Sequence, residues 1–278
     1  MIRADAIAAA VLRLGAAGVP GAERDARLLY RWAAGLSGAG LQANLTEIAP
    51  QEELDRFGRA VAAREARHPV SHITGMRAFW GRCFRVTPDV LDPRPETEML
   101  VAEGLIGAPQ KILDLGTGTG CILLSLLADL PGSTGIGLDI SSEALGVAAE
   151  NAARLGLLDS AAFCLGSWAD IPPGPYDLIV SNPPYLSEVE MDARQPELHY
   201  EPDKALSPGG DGLDAYRALI PPAADALAPK GRLLLEIGAS QAKDVMALMA
   251  QAGFSDLAKH TDLDGRDRMI TGQIATDS

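Results

Sequence analysis

No stretch of this sequence is uncharged and apolar over the ~20 residues that a bilayer span requires, so a membrane-spanning protein is not expected. Cysteine is scarce: Cys83, Cys121 and Cys164 are odd in number, far apart and without metal-ligand spacing. That excludes a disulfide scaffold or cysteine-rich zinc fold and fits reduced, buried thiols in a cytoplasmic protein. Histidine is also sparse. His68 and His72 have helical spacing, but Pro69 between them breaks a helix, and His199 and His260 stand alone, so no metal is expected. The first fifteen residues are Ala-rich yet carry Arg3, Asp5 and Arg13 and lack a small-residue cleavage site. They predict an amphipathic helix, not a secretory signal.

The 278 residues are 47% hydrophobic and 22% charged, the balance of a soluble chain able to bury a core. The net charge of −13 is unevenly placed. Residues 1–95 hold 13 Arg against 10 acidic residues (+3), and residues 96–278 hold 11 Lys and Arg against 27 acids (−16). An acidic C-terminal part repels phosphate backbones, which argues against naked nucleic acid as substrate.

Residues 1–68 predict a small helical bundle, with helices over 2–15, 22–34 and 51–67 separated by Gly and Pro. Residues 69–95 predict a β-hairpin linker around Gly81, ended by Pro93-Arg94-Pro95, with Pro95 opening a helix over 96–105. From Lys111, strand and helix alternate: KILDL, GIGLDI, AAFCLG, YDLIV and GRLLLEIG, then strands near 257–261 and 268–274. The expected fold of 96–278 is α/β, a mainly parallel seven-stranded Rossmann-like sheet with helices on both faces. Only residues 262–267 join the final two strands, too few for a crossover, so the last strand is expected to be antiparallel.

Two motifs carry chemistry. Asp114-Leu115-Gly116-Thr117-Gly118-Thr119-Gly120 ends the first strand of the sheet, where open α/β sheets bind ligands. Its spacing is G-x-G-x-G, unlike the G-x-G-x-x-G of dinucleotide binders. Asp139 ends the second strand, placed to accept both ribose hydroxyls of a nucleoside ligand such as S-adenosyl-L-methionine, while Ser141 or Ser142 is placed to cap the next helix. Asn182-Pro183-Pro184-Tyr185 follows the fourth strand, and two prolines force the chain out of the sheet there. The Asn182 side-chain oxygen and the Pro183 carbonyl can each take one N–H of a planar nitrogen, aiming its lone pair at a methyl donor, with Tyr185 stacked on the acceptor. Asn182, Pro183 and Tyr185 are thus the candidate catalytic residues. The motif alone leaves base and amide open.

The chain resembles the protein-(glutamine-N5) methyltransferases that act on peptide chain release factors, the PrmC/HemK family, over nearly its full length. LDPRPETE (91–98), DLGTGTG (114–120), NPPY (182–185), YEPDKALSPGGDGLDAYR (200–217) and GRDR (265–268) carry the resemblance. NPPY is shared with adenine-N6 methyltransferases, whereas RPETE and YEP…GGDGL resemble this family specifically. The resemblance implies that residues 1–68 recognise the substrate and that 96–278 form an S-adenosylmethionine-dependent methyltransferase domain. It also implies an acceptor glutamine in the Gly-Gly-Gln tripeptide of a class-1 release factor, with S-adenosyl-L-homocysteine as product. Gly116, Thr117, Gly118, Thr119, Gly120, Asp139, Trp168 and Asn182 would contact the donor, with Trp168 near the adenine. Asn182, Pro183, Pro184 and Tyr185 would hold the glutamine. Without the resemblance, Trp168 fits a core aromatic equally well. Asp92 departs from the family's apolar residue before PRPETE, and Leu186 replaces an isoleucine. Two other readings are an adenine-N6 methyltransferase acting on DNA or RNA, and a non-catalytic S-adenosylmethionine-binding adaptor. The expected partner is a release factor, with no membrane and no direct nucleic-acid binding.

Overall fold

Apolar residues recur at helical spacing in the first seventy positions and at strand spacing after Lys111, and the computed structural model, described over residues 1–274, places the change of architecture accordingly. The chain divides into two units: Met1–Met76 with Gln195–Tyr200, and Arg77–Arg194 with the chain from Glu201 on.

The first unit holds α1 (Arg3–Ala16), α2 (Ala22–Ala34), α3 (Gly38–Ala43), α4 (Gln51–Glu65) and α5 (Val70–Thr74). Leu14, Leu29, Tyr30, Phe57 and Val61 form its core. A buried ion pair, Arg64 Nε to Asp25 Oδ2 at 2.8 Å, ties α4 to α2. Removing one member of such a pair costs ~3–5 kcal/mol, because the other charge stays buried alone. Pro69 precedes α5, so His68 lies in the connection after α4 while His72 is on α5. The segment Gln195–Tyr200 belongs to this unit through Arg67, whose guanidinium grips both oxygens of Glu197 at 2.8 Å, and through Tyr200, whose hydroxyl donates to the Ala66 carbonyl at 2.7 Å.

The second unit is built on a seven-stranded sheet: β3 (Lys111–Leu115), β4 (Thr134–Asp139), β5 (Ala161–Leu165), β6 (Tyr176–Ser181), β7 (Leu227–Glu236), β8 (Phe254–Thr261) and β9 (Asp267–Ile274). Ahead of it comes a hairpin of β1 (Met76–Phe79) and β2 (Arg82–Arg85), turned by Trp80 and Gly81 at φ +48° and +68°, as a two-residue turn requires. The sheet order is β5-β4-β3-β6-β7-β9-β8. The first five strands are parallel, and β9 runs antiparallel between β7 and β8, as the short link before it dictates.

Side chains alternate across the sheet. Leu113, Ile179, Leu233 and Leu235 face one apolar layer, covered by α11 (Asp214–Ala226) and α12 (Ala242–Gln251). Ile112, Leu178, Val180 and Leu234 face the other, covered by α6 (Glu98–Gly104) and α7 (Cys121–Asp129), with Phe79 and Phe84 of the hairpin. Burial on both faces explains why these strands read as continuous apolar runs. A longer helix, α8 (Ser142–Leu155), follows β4, the short α9 (Glu188–Asp192) and α10 (Asp203–Leu206) follow β6, and residues 95–97 form a 3₁₀ turn ahead of α6 where a single helix over 96–105 was expected. Among the cysteines, Cys121 is buried, but Cys83 on β2 is exposed and Cys164 half-buried. The expectation of three buried thiols is therefore corrected: Cys83 lies between the inward Phe84 and the partly covered Arg82, on the outer face of a two-residue period.

Candidate active site

From β3 the chain builds outward to β4 and β5, then returns to place β6 on the other side of β3. Such a reversal opens a crevice at the carboxyl ends of the strands. Both sequence motifs flank it. Leu115 and Ser181, the last residues of β3 and β6, are partners in register, and the Ser181 hydroxyl donates to the Leu115 carbonyl at 2.7 Å. The glycine turn and the Asn-Pro-Pro-Tyr segment therefore leave the sheet side by side.

On the glycine side, Gly116, Gly118 and Gly120 have φ of +73°, +53° and +77°, a region that strains any residue with a Cβ. The Gly116 and Thr117 amides donate to the Leu138 carbonyl at the end of β4. The Asp139 carboxylate accepts from the Gly118 amide at 2.9 Å and from the Ser141 amide at 3.0 Å, so it braces the turn as well as facing the crevice. Ser141, not Ser142, caps α8 by accepting from the Ala144 amide. Trp168 brings its ring within 3.2 Å of the space that a Cβ on Gly116 would occupy. Asp114, fully buried beneath the turn, accepts from the Thr117 hydroxyl at 2.7 Å; burial pushes its carboxyl up to about 7, with that hydrogen bond pulling the other way.

On the acceptor side, Tyr185 and Leu186 donate their amides to the Leu206 carbonyl, and the Gln241 side chain donates to the Tyr185 carbonyl at 2.9 Å. Gly212, at φ +81°, lies so close that a Cβ there would sit 2.4 Å from the Tyr185 carbonyl oxygen. This close approach requires the last glycine of the GGDG run. The Asn182 side-chain amide donates to the Thr97 hydroxyl at 3.2 Å, and that hydroxyl donates to Glu236 at 2.7 Å. Burial pushes the Glu236 carboxyl up to about 7 and the Tyr185 phenol well above its ordinary range. Arg94 pairs with Glu201 at 2.5 Å and lies 3.7 Å from Asp92. Asp92, the departure before PRPETE, is itself buried and also lies 3.5 Å from Arg77.

One cavity of about 550 Å³ is lined by Gly116, Thr117, Gly118, Thr119, Asp139, Trp168, Asn182 and Pro184, together with Thr97 and Arg94. Gly120, Pro183 and Tyr185 do not line it. Gly120 immediately precedes α7 and packs on Leu124 and Ala148, Pro183 is buried, and Tyr185 packs against the apolar layer beneath α11. Thr97, Glu236, Arg94 and Gln241 escaped sequence reasoning. For Glu236 a signal existed, an acid closing a buried apolar strand at the same sheet edge as Asp114 and Asp139.

Known proteins agree with this architecture. A family profile described as the PrmC N-terminal domain matches residues 5–75, and one described as a methyltransferase domain matches residues 107–261. The chain is 51% identical over 275 residues to the release factor glutamine methyltransferase of Cereibacter sphaeroides, covering 99% of each. The chain belongs to the release factor glutamine methyltransferase family. The Rhodospirillum rubrum member is 47% identical over 93% of this chain and 81% of its own. Among solved structures, a methyltransferase from Pyrococcus furiosus aligns with a TM-score of 0.55 at 15% identity, covering 79% of this chain and 98% of that one. The ribosomal protein L11 methylase of Lactobacillus delbrueckii subsp. bulgaricus aligns at 0.51 and 22%, covering 69% and 86%. Both support the fold alone. Among the described residues, no helix is long and apolar enough to cross a membrane, and no cluster of three or more His, Cys, Asp or Glu is arranged to hold a metal.

Proposed function

We propose that this protein transfers a methyl group from S-adenosyl-L-methionine to the side-chain amide nitrogen (N5) of the glutamine in the Gly-Gly-Gln tripeptide of class-1 release factors. The observation that carries the reading is the single cavity shared by the glycine turn, Asp139, Trp168 and Asn182. Its volume is within the ~300–1,000 Å³ of small-molecule sites. The residues present fit the donor: the backbone of Gly116 and Gly118 at the cavity wall, a half-buried carboxylate for ribose hydroxyls, and an aromatic face for adenine.

The bound donor supplies an electrophilic methyl on a cationic sulfur, so the chain needs no nucleophile of its own. Its task is to hold and orient. Gly116, Thr117, Gly118, Thr119 and Gly120 shape the turn, and Asp139 accepts from the ribose while holding Gly118 in place. Asn182 Oδ1 and the Pro183 carbonyl accept the two N–H of the glutamine side chain, leaving its lone pair turned toward the methyl. As the N–C bond forms, the C–S pair stays on sulfur, and the methylated nitrogen, cationic at that point, releases one proton past those acceptors to water. Pro184 lines the same cavity, and Tyr185 supports the clamp from the apolar layer behind it. Cys121 takes no part, since burial pushes its thiol up to about 12.

Residues 1–68 serve in this reading as the substrate-recognition domain, with 69–95 as linker and 96–278 as catalytic domain. The acidic half suits a basic, ribosome-binding partner and not nucleic acid itself, and a substrate of that kind locates the enzyme in the cytoplasm. The test is transfer of label from the methyl-labelled donor to three acceptors: a release factor, the same factor with its tripeptide glutamine changed to alanine, and duplex DNA. Label is expected in the first only. Equal label in the alanine variant, or label in DNA, overturns the reading.

A further inference from the structure

The hydrogen bonds behind Asn182 have a direction, and a buried charge sets it. Thr97 lies in the 3₁₀ turn before α6, Glu236 ends β7, and Asn182 follows β6, so three elements meet at one chain of contacts. An ionised carboxylate can only accept, and a hydroxyl has a single hydrogen. With Glu236 ionised, that hydrogen goes to Glu236, and the Thr97 oxygen is left to accept. The group that donates to it must be the Asn182 NH₂, which sends the side-chain oxygen toward the cavity.

We propose that Thr97 and Glu236 are positioning residues for methyl transfer, an ionised Glu236 fixing the Asn182 carboxamide with its oxygen toward the acceptor amide. The proposal rests on the role given to Asn182 above. A proton on Glu236 reverses the chain: the carboxylic acid donates to Thr97, Thr97 donates to the Asn182 oxygen, and the NH₂ turns to the cavity. There it would face the N–H groups of the incoming amide, donor against donor. Burial raises the Glu236 carboxyl to about 7, Arg268 and Arg94 favour its charge, and Glu96 opposes it. The Tyr185 and Tyr216 phenols and the Cys121 thiol lie in the same field. Tyr216 donates to the Glu236 backbone carbonyl, leaving the carboxylate to Thr97. Asp114, also raised to about 7, stands beneath the glycine turn and bonds Thr97's counterpart on that side, Thr117.

The test uses the full chain with a release factor as acceptor, measuring single-turnover rate and donor Kd for wild type, Thr97→Val, Thr97→Ser, Glu236→Gln and Asn182→Ala across about pH 6 to 9. Thr97→Val is expected to slow transfer by ~10–100-fold with donor Kd within about twofold, and Thr97→Ser to restore the rate to within about threefold. Wild type should slow on a one-proton limb below about 7. Glu236→Gln, which can donate to Thr97, should be slow throughout and lack the limb. Wild-type rate in Thr97→Val with loss in Asn182→Ala overturns the relay and leaves the Asn182 reading standing; wild-type rate in Asn182→Ala removes that reading itself. A limb that persists in Glu236→Gln assigns the proton to another acid and overturns the part given to Glu236. If Thr97→Val does not fold, Thr97→Ser and the Glu236→Gln pH profile decide: an absent limb supports the relay and a retained one rejects it.

Discussion

The two sides of the crevice are held by different means. On the glycine side, contacts stay within the turn and the adjoining end of β4: Gly116 and Thr117 to Leu138, Gly118 and Ser141 to Asp139, Thr117 to Asp114. On the acceptor side, side chains reach across the unit: Asn182 to Thr97, Thr97 to Glu236, Gln241 to Tyr185. A donor common to many methyltransferases can be held by a local turn, whereas a particular acceptor needs a rigid frame assembled from distant segments. The two sides should therefore fail separately, one in donor affinity and the other in transfer.

The largest expected separation comes from Asn182→Ala, which should lower kcat by ~10²-fold or more while leaving donor affinity within a few-fold, read by stopped turnover and calorimetry. Parallel loss of both would erase the distinction between the sides. Next is a pair of glycines. Gly212→Ala drives a Cβ to 2.4 Å from the Tyr185 carbonyl at a positive φ, whereas Gly118→Ala meets no atom within 4 Å. Urea denaturation should show Gly212→Ala losing ~2–4 kcal/mol and Gly118→Ala only ~1–2 kcal/mol. Equal costs would mean that the close approach at Tyr185 is not rigid.

Asp139→Ala removes two backbone braces and the ribose acceptor, and should raise the KM for the donor by ~10-fold or more with a smaller change in kcat. A change confined to kcat would move Asp139 out of the donor side. A pH effect follows from Glu236. Its folded carboxyl is raised from 4.5 to about 7, so the native state binds the proton more tightly than the unfolded chain. Its contribution to stability is present below the unfolded value and lost as pH rises through about 7. Thermal unfolding should then show Glu236→Gln gaining Tm over wild type at pH above that value, with the gain shrinking in acid. The opposite trend would show that the carboxylate is better paired than its burial implies. The smallest effect is electrostatic: association with a release factor should weaken a few-fold as salt rises and the acidic half is screened. Salt-independent affinity would remove charge steering from the account.

What the sequence revealed follows the same division. DLGTGTG and Asp139 were legible because glycine at positive φ and an acid at the end of the next strand act where the single β3-to-β4 crossover brings them together. Strand order was less so. Only residues 262–267 between the last strands marked β9 as antiparallel, and its insertion between β7 and β8 depends on packing beyond any local pattern. NPPY announced an exit from the sheet, yet nothing near it identified Thr97, 85 residues away, or the Glu236 carboxylate 139 residues beyond Thr97. Asp92 stood out only against the family's apolar residue at that place, and nothing in the sequence marked its burial beside Arg77 and Arg94.

The most direct measurement is fragmentation mass spectrometry of a class-1 release factor after incubation with the enzyme and labelled donor. A single added methyl on the side-chain nitrogen of the Gly-Gly-Gln glutamine, absent with Asn182→Ala, is the predicted result. A methyl on any other residue, or an unmodified glutamine beside consumed donor, would contradict it.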